Sequence, residues 1–583
     1  MSPAADILHC SNPESGVSSA PIRRSGFIFG ISFAFLFVTM SRDITSYDEG
    51  LIVFGAIRIM NGDVPYRDFY ANYGPAQFYV LAALFKVFGP SILVHRIWDT
   101  VVRAAIVMLV YAVFARMENP RTGMIAAVAS AIWLSAFGTY GYPVFPCLLL
   151  SILSIYFVLP AYCREAGRTP LLLAGGCIGV VALFRHDVGA MAGIAHIAAL
   201  ILLHTKVRLD GVVRSPKLIP AVSTIVAAAL IVAVPAWSAL MLVSPSEMLR
   251  DLIIVPMETY ARMRSLPFPS LSALAADLAK FKWDSVINGG VFLPAISGLT
   301  GIAIGLHSWG LRAPIDGKKA TATMDCTRCG ALFLIACFSL FFALKGVVRV
   351  SLSHMALAIV PSLLTACLVW LLARGSRYAQ LLAVVLAVPT TLASVGAARC
   401  DYWNLMKNKE WVLNSAEAGD KCHTGAGLER LGCFRLDEHE LTAIRYVQVR
   451  TADNERIFVG LTNHDRIVVN DVLFYFLSKR LSATKWHHFD PGVQTTREIQ
   501  SEMAVELEAV KPKVIVLRSD WSNLREPNES SISSGVSILD DFIRARYVLA
   551  ATFASIQVYE LRPEAPPGST TSHSSRGVAR CIY

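Results

Sequence analysis

The sequence predicts a polytopic α-helical membrane protein with a C-terminal α/β domain on its outer, extracytoplasmic side. Of 583 residues, 54% are hydrophobic and 16% charged, against roughly 25% charged in soluble domains, so most of the chain is solvated by lipid. Apolar runs of membrane-spanning character recur about eleven times before residue 400. Beyond that point charged and polar residues interleave with short apolar runs, the pattern of a water-soluble fold. The net charge of +10 would suit nucleic acid if it were gathered on one folded face. Here Lys and Arg fall in short loops between apolar runs, so the excess reads as membrane topology and no nucleic-acid partner is indicated.

Residues 1–24 are polar and end on Arg23 and Arg24, forming a cytoplasmic tail. The apolar run 26–40 ends without a small-residue cleavage pattern and reads as an uncleaved first span. Further spans are predicted at 95–117, 122–140, 143–162, 170–184, 188–204, 218–243, 287–308, 330–346, 352–373 and 377–397, giving a membrane domain over 25–398 with two long outer loops, 41–91 and 244–285. Every second loop is basic, as expected on the cytoplasmic side: Arg116 and Arg121, then Arg164 and Arg168, then Lys206, Arg208, Arg214 and Lys217. Arg312, Lys318, Lys319 and Arg328 fill the next, and Arg374 and Arg377 the last. An odd number of spans then places residues 399–562 outside.

In that outer region residues 456–461, 513–517 and 556–561 read as strands, and 470–480, 496–510 and 539–547 as helices, an alternation that argues a small α/β domain. Residues 563–583, rich in Pro, Gly and Ser, are expected to be disordered. Cys147, Cys177, Cys337 and Cys367 lie singly in apolar stretches, where Cys is a small buried hydrophobe, and no disulfide framework is implied. Cys326 and Cys329 form an isolated C-x-x-C that lacks two further nearby ligands. Cys422 and Cys433 flank a glycine-bearing loop, and whether either pair is bonded stays open.

The first outer loop carries the densest polar pattern, SRDITSYDEGLIVFGAIRIMNGDVPYRDFYANYGPAQFY. Residues 49–60 have helical spacing, with Leu51, Ile52, Phe54, Ala56 and Ile59 as an apolar face and Asn61-Gly62 as a stop, so a helix lying along the membrane surface is expected. Asp48 at its start is either an N-cap or a working carboxylate. Glu49, Arg58, Tyr66, Arg67, Asp68 and Tyr73 crowd the same loop more densely than capping requires. Two further polar knots, Arg185-His186-Asp187 and the stretch from Lys345 through Arg349 to His354, fall at span ends on the same predicted face. Charges at span ends also snorkel or pair, which is the plainer reading of Arg185 and Asp187 taken alone. The second outer loop adds Glu258, Tyr260, Arg262 and Arg264 in VPMETYARMRSLPFP. There is no nucleotide-binding loop, serine-hydrolase elbow, zinc-protease helix or dinucleotide fingerprint. His464-Asp465 and His487-His488 in the outer domain are read as surface-loop residues ahead of metal ligands.

Tyr47-Asp48-Glu49-Gly50, followed by Arg58, Gly62, Pro65-Tyr66-Arg67-Asp68-Phe69 and Tyr73-Gly74-Pro75, resembles the bacterial GT-C glycosyltransferases related to glycosyltransferase family 39, which include protein O-mannosyltransferases and the lipid A aminoarabinose transferase. The RHDVG beginning at Arg185, the second-loop segment and the R-x-S-x-x-H from Arg349 to His354 look like further pieces of that pattern. The resemblance implies a GT-C-like fold of the inner membrane with its site on the periplasmic side. It implies inverting transfer of a sugar from a polyprenyl-phosphate donor to a glycan, lipid or protein acceptor. Asp48 would be the general base and Glu49 would position it or bind acceptor; Arg349, His354, Arg185 and Lys345 would meet the departing phosphate. Arg58, Arg67 and Asp68 are further candidates for binding substrate or lipid phosphate, with Arg58 expected to organise the loop by pairing with an acid ahead of doing chemistry. Ser351 stands where many relatives carry an acid, and a divalent cation serves some GT-C enzymes and not others, so metal use is left open. Two other classes compete: a flippase for lipid-linked sugars, which would show repeats and mid-membrane charge, and a membrane-anchored glycan-binding protein, for which one span would serve.

Overall fold

The computed structural model describes residues 19–563 apart from 118, 139–140, 163–166, 210–216, 281, 283–286, 311–319, 373–376, 414–421 and 423–426. The expected topology signals Arg164, Arg214, Arg312, Lys318, Lys319 and Arg374, most of the N-terminal tail and residues 564–583 lie outside the described residues. The chain is a polytopic helical membrane protein with a small sheet domain at its C-terminal end. Eight helices among the described residues are long and apolar enough to cross a membrane: Ile92–Arg116, Val144–Tyr162, His186–Lys206, Leu218–Val243, Gly289–Leu306, Thr327–Val347, Leu352–Leu372 and Ala379–Lys409. Each coincides with an expected span. The other three expected spans form the helices Ser19–Val38, Pro120–Ala136 and Thr169–Phe184, with shorter apolar stretches. Pro120 and Pro170 sit in the first turns of the latter two, where a missing N–H costs nothing.

The last membrane helix runs from Arg377 to Leu413 without a break, so the domain boundary expected at 399 falls inside a continuous helix. Apolar sequence ends near 397, but helical propensity does not, and the following CDYWNLMKNKEWVL continues the turn. Cys422 and Cys433 are joined as a disulfide, which settles that pair. The C-x-x-C lies on the helix Ala320–Val347, and the Cys326 side chain is outside the described residues.

The C-terminal domain holds a five-stranded sheet of strands β1 (Arg456–Leu461), β2 (Leu481–Ser482), β3 (Val514–Arg518), β4 (Tyr547–Phe553) and β5 (Ile556–Leu561), in the order β2-β1-β3-β5-β4. β1, β2 and β3 are parallel, whereas β5 pairs antiparallel with both β3 and β4. The three expected strands are present. So are the expected helices, as Leu473–Ser478, Arg497–Val510 and Ile538–Arg546. The helix Glu438–Arg450, capped by Asp437 accepting from the His439 N–H at 2.9 Å, is additional. β4 is additional too: its YVLAATF reads equally as a helix end, and pairing with β5 decides it.

The first outer loop folds into two helices, Asp48–Met60 and Ala76–Phe88. The expected stop is present: Gly62 takes φ +91°, a left-handed conformation that glycine adopts without strain. The helix Asp48–Met60 is not a surface helix, however. Every residue from Glu49 to Arg58 is buried, because the outer domain covers the side expected to face solvent. Phe54 stacks on Tyr475 with ring centroids 4.8 Å apart, and one apolar cluster joins Leu51, Ile52 and Phe54 to Leu473, Phe476 and Val459. Gly50 makes this approach fit: a Cβ there would lie 2.4 Å from the Leu473 backbone nitrogen. Loop and domain therefore share one core.

Candidate functional site

Five segments far apart in sequence meet in a cavity of about 280 Å³, one of them Tyr142 just ahead of the helix Val144–Val158. Asn72 and Tyr73 come from the first outer loop, and Arg185, His186 and Asp187 from the junction of the helices Thr169–Phe184 and His186–Leu209. Tyr260 and Arg264 come from the second outer loop, Lys345 from the last turn of the helix Ala320–Val347, Arg349 from the link that follows it and His354 from the first turn of the helix Leu352–Leu372. Local sequence explains the meeting. Gly74 lets the first loop lie against the end of the helix Thr169–Phe184, since a Cβ would fall 2.3 Å from the Leu183 carbonyl oxygen, and its N–H donates to the Phe184 carbonyl at 3.1 Å. The second loop bridges to the turn through backbone bonds from Leu266 N–H to Val348 O and from Val350 N–H to Leu266 O, 3.0 and 3.2 Å. Just before it, residues Arg250–Thr259 form a wide π-type helical stretch, a distortion often found at functional sites.

The cations of the cavity are held in different ways. Arg185 forks onto Asp187 at 3.0 and 2.7 Å and lies over the Tyr73 ring, 5.3 Å from its centroid. Arg349 closes its Nη1 and Nη2 atoms on Glu526 at 2.6 and 2.5 Å. Arg264 donates to Asp490 at 2.5 Å. Lys345 has no carboxylate within ion-pair distance among the described residues; its Nζ donates to the Tyr142 hydroxyl at 3.4 Å. Burial pushes the Tyr142 phenol up, but Lys345 and Arg185 outweigh this and leave it below its ordinary value. His354 Nδ1 lies 2.7 Å from the Ser351 hydroxyl, so Ser351 serves as a partner of the imidazole.

Asp48 is half-buried and is not among the residues that line this cavity, but its carboxyl feels the charges of Arg264 and Arg349, which do. Tyr73 and Tyr142, which line the cavity, feel its charge in turn. The capping alternative does not hold: the cap position is Tyr47, and Asp48 is the first helical residue. Its carboxylate has no hydrogen-bond or ion-pair partner among the described residues. Burial raises its pKa, with Arg264 opposing and Glu49 adding to the rise. Such a carboxyl is poised to take up a proton.

Glu49, expected beside Asp48 in the chemistry, is fully buried and does not line the cavity. Both its oxygens take Arg96, Nε and Nη2 each at 2.6 Å, and Oε2 also accepts from the Thr45 N–H at 3.1 Å. Consecutive helical residues point about 100° apart, so the two acids face different surroundings. Arg58 organises the loop as expected: it pairs with Asp63 and donates to the Asp68 carbonyl at 2.7 Å. Arg67 and Asp68 form an exposed pair at 2.7 Å, and neither they nor Arg58, all expected among the binding residues, line the cavity.

Sequence reasoning missed Asp490, Glu526, Tyr142 and the placement of Arg264. Asp490 is fully buried and accepts from the hydroxyls of Tyr47, Tyr70 and Tyr260 at 3.2, 2.9 and 2.8 Å, from Asn72 Nδ2 at 2.9 Å and from Arg264. It ties both outer loops to the outer domain. Burial pushes its carboxyl up, but Arg264 and His488, with the Tyr260 and Tyr70 hydroxyls, hold it below the ordinary value. A single Asp in HHFDPG carries no sequence signal for this. His487 and His488 are buried among aromatic rings instead of lying on a surface loop, because the first outer loop packs over them. His464 is buried as well, with Nδ1 2.6 Å from Asp540.

Among the described residues no group of three or more His, Cys, Asp or Glu side chains is placed to hold a metal ion. Three acids at or beside the cavity are engaged, Asp187 by Arg185, Asp490 by Arg264 and Glu526 by Arg349, which leaves Asp48 as the unpaired one. Among the described residues the donor set does not fit a divalent-cation cage.

The helical membrane body with its C-terminal sheet domain has a GT-C-like fold, as superposition on a solved structure shows. The chain superposes on ArnT from Cupriavidus metallidurans bound to undecaprenyl phosphate with TM-score 0.52 and 13% identity, over 93% of this chain and 98% of that one. The apo form of the Archaeoglobus fulgidus oligosaccharyltransferase matches at TM-score 0.47 and 13% identity, over 86% of this chain and 70% of that one. In sequence the chain matches no protein-family model and no curated protein.

Proposed function

We propose that the chain is a GT-C type glycosyltransferase. It moves a sugar from a polyprenyl-phosphate donor to a glycan, lipid or protein acceptor at the periplasmic face of a bacterial inner membrane, with inversion. The observation that carries this reading is an unpartnered carboxylate, Asp48, within electrostatic reach of Arg264 and Arg349, two cations of a cavity that also bears Arg185 and Lys345. A base near a cluster of cations is the pair of groups that displacement of a phosphate leaving group requires. Nucleotide sugars are absent outside the cell, so a donor there arrives on lipid. ArnT from Cupriavidus metallidurans, of comparable length, was solved with undecaprenyl phosphate, a ligand whose headgroup suits these cations. The disulfide Cys422–Cys433 suits an oxidising, extracytoplasmic compartment.

In the proposed reaction the acceptor hydroxyl attacks the anomeric carbon from the side opposite the phosphate. Asp48 takes the hydroxyl proton, a contribution of ~10²- to 10⁴-fold. The anomeric C–O bond breaks, and its electron pair stays on the phosphate oxygen. Lys345, the cation without a carboxylate partner, and Arg349 offset that growing charge, with Arg185 and Arg264 behind them. Glu49 acts through Arg96 by fixing the helix start. The test is transfer of radiolabelled sugar from a polyprenyl-phosphate donor in membranes containing wild type or Asp48→Asn at equal levels. Label moving with wild type alone supports the reading; donor crossing the bilayer without transfer would replace it with a flippase.

A further inference from the structure

The transferase reading has an electrostatic consequence. The donor is a phosphodiester of charge about −1, and the polyprenyl phosphate left behind is a monoester of about −1.5 to −2 at pH 7. Cations that favour departure of the phosphate therefore hold the product more tightly than the donor. Turnover requires a counter-charge that can return to the cations as the product leaves.

Two carboxylates of the outer domain touch cavity arginines, and they differ in kind. Asp490 is fully buried with five side-chain donors, so it is fixed. Glu526 follows β3 in an irregular segment and keeps 16% of its side chain exposed. It spans the terminal Nη1/Nη2 edge of Arg349, a bidentate seat that two phosphate oxygens fit equally well. Its other side-chain contact is Asn528 Nδ2 at 3.0 Å. The same segment meets the second outer loop through Asn528 Nδ2 to the Ser265 carbonyl, 3.0 Å, and a solvent-exposed Arg262–Glu529 pair at 3.8 Å, contacts weak enough to exchange.

We propose that Glu526 is a product-release residue: it yields Arg349 to the phosphate during catalysis and retakes it as polyprenyl phosphate departs. The proposal rests on the transferase reading. It adds no covalent step, and no proton changes hands.

The experiment measures binding of polyprenyl phosphate itself to detergent-solubilised wild type, Glu526→Gln and Asn528→Ala, together with single- and multiple-turnover transfer. Glu526→Gln is expected to bind polyprenyl phosphate about tenfold more tightly, since a competing and repelling anion is gone. Its single-turnover rate should stay within twofold of wild type while its steady-state rate falls. Asn528→Ala loosens the same segment without removing charge, and its affinity should stay within twofold. Equal or weaker binding by Glu526→Gln, or equal tightening by Asn528→Ala, overturns the proposal. A readout needing no variant is amide hydrogen exchange in wild type: polyprenyl phosphate should speed exchange over residues 526–531, and slowed or unchanged exchange there overturns the idea. Folded wild type that binds no polyprenyl phosphate defeats the transferase reading itself, whereas binding without the Glu526 effect defeats this inference alone.

Discussion

Asp48→Asn separates chemistry from scaffolding, because the side chain stays nearly isosteric while losing its ability to accept a proton. Transfer should fall by ~10²- to 10⁴-fold, the usual worth of a general base. Stability should hardly change. A lost N-cap bond would cost about 1 kcal/mol, but Asp48 makes no such bond, and Tyr47 occupies the cap position. The helix dipole favours an acid at this position by roughly 0.3–1 kcal/mol. Burial, which raises the Asp48 pKa, and the neighbouring Glu49 disfavour the charge. These terms oppose one another, so the net change should lie within about 1 kcal/mol. The assay is radiolabelled transfer at matched protein levels, with thermal unfolding in detergent alongside. An active Asn variant, or one destabilised by more than about 2 kcal/mol, would refute the reasoning, the second by exposing a structural role. The pH dependence follows in sign: Asp48 must be ionised to accept a proton, and its pKa is raised, so kcat/KM should fall on acidification starting at a higher pH than ordinary aspartate gives.

Four further outcomes are expected. Asp490→Asn leaves Arg264 without its buried counter-charge and should cost about 3–5 kcal/mol by denaturant melts; because the Asp490 pKa is depressed, its stabilisation is full above the unfolded aspartate value of about 3.9 and is lost as pH falls through the lower folded value. Lys345→Gln should raise the donor KM about tenfold, since a charge-assisted phosphate contact is removed; an unchanged KM would place the phosphate elsewhere. Gly50→Ala forces a Cβ against the Leu473 backbone and should cost about 1–3 kcal/mol while misplacing Asp48, so activity and melting temperature should fall together. Cys433→Ser opens the loop closed by Cys422 and should cost about 2–4 kcal/mol, checked by melting with and without reductant.

Much of the architecture was legible because lipid imposes a one-dimensional rule: a spanning helix must be long and apolar, and the eight qualifying helices coincide with expected spans. The stop at Asn61-Gly62, the strands β1, β3 and β5, and the pairing of Arg58 with an acid followed from local chemistry as well. β4 and the helix Glu438–Arg450 did not, because short amphipathic segments in water take their form from neighbours. Within the site, the knots at Tyr73, Arg185, Lys345 and Arg349 to His354 converge as their shared predicted face implied. Glu49 and Asp48 are adjacent in sequence yet serve different surroundings, since one residue along a helix turns a side chain by about 100°.

The sequence by itself determined the solvent of each segment and the residues that can carry charge at the outer surface, because hydropathy and charge are properties of residues. Partnership is not such a property. Tertiary structure alone decided that the outer domain buries the first-loop helix, that Asp490 gathers three tyrosines, an asparagine and Arg264, and that Glu526 sits on Arg349 while Asp48 stays unpaired. Each of these is a meeting of groups tens to hundreds of residues apart, set by shape and burial, and no local pattern encodes it.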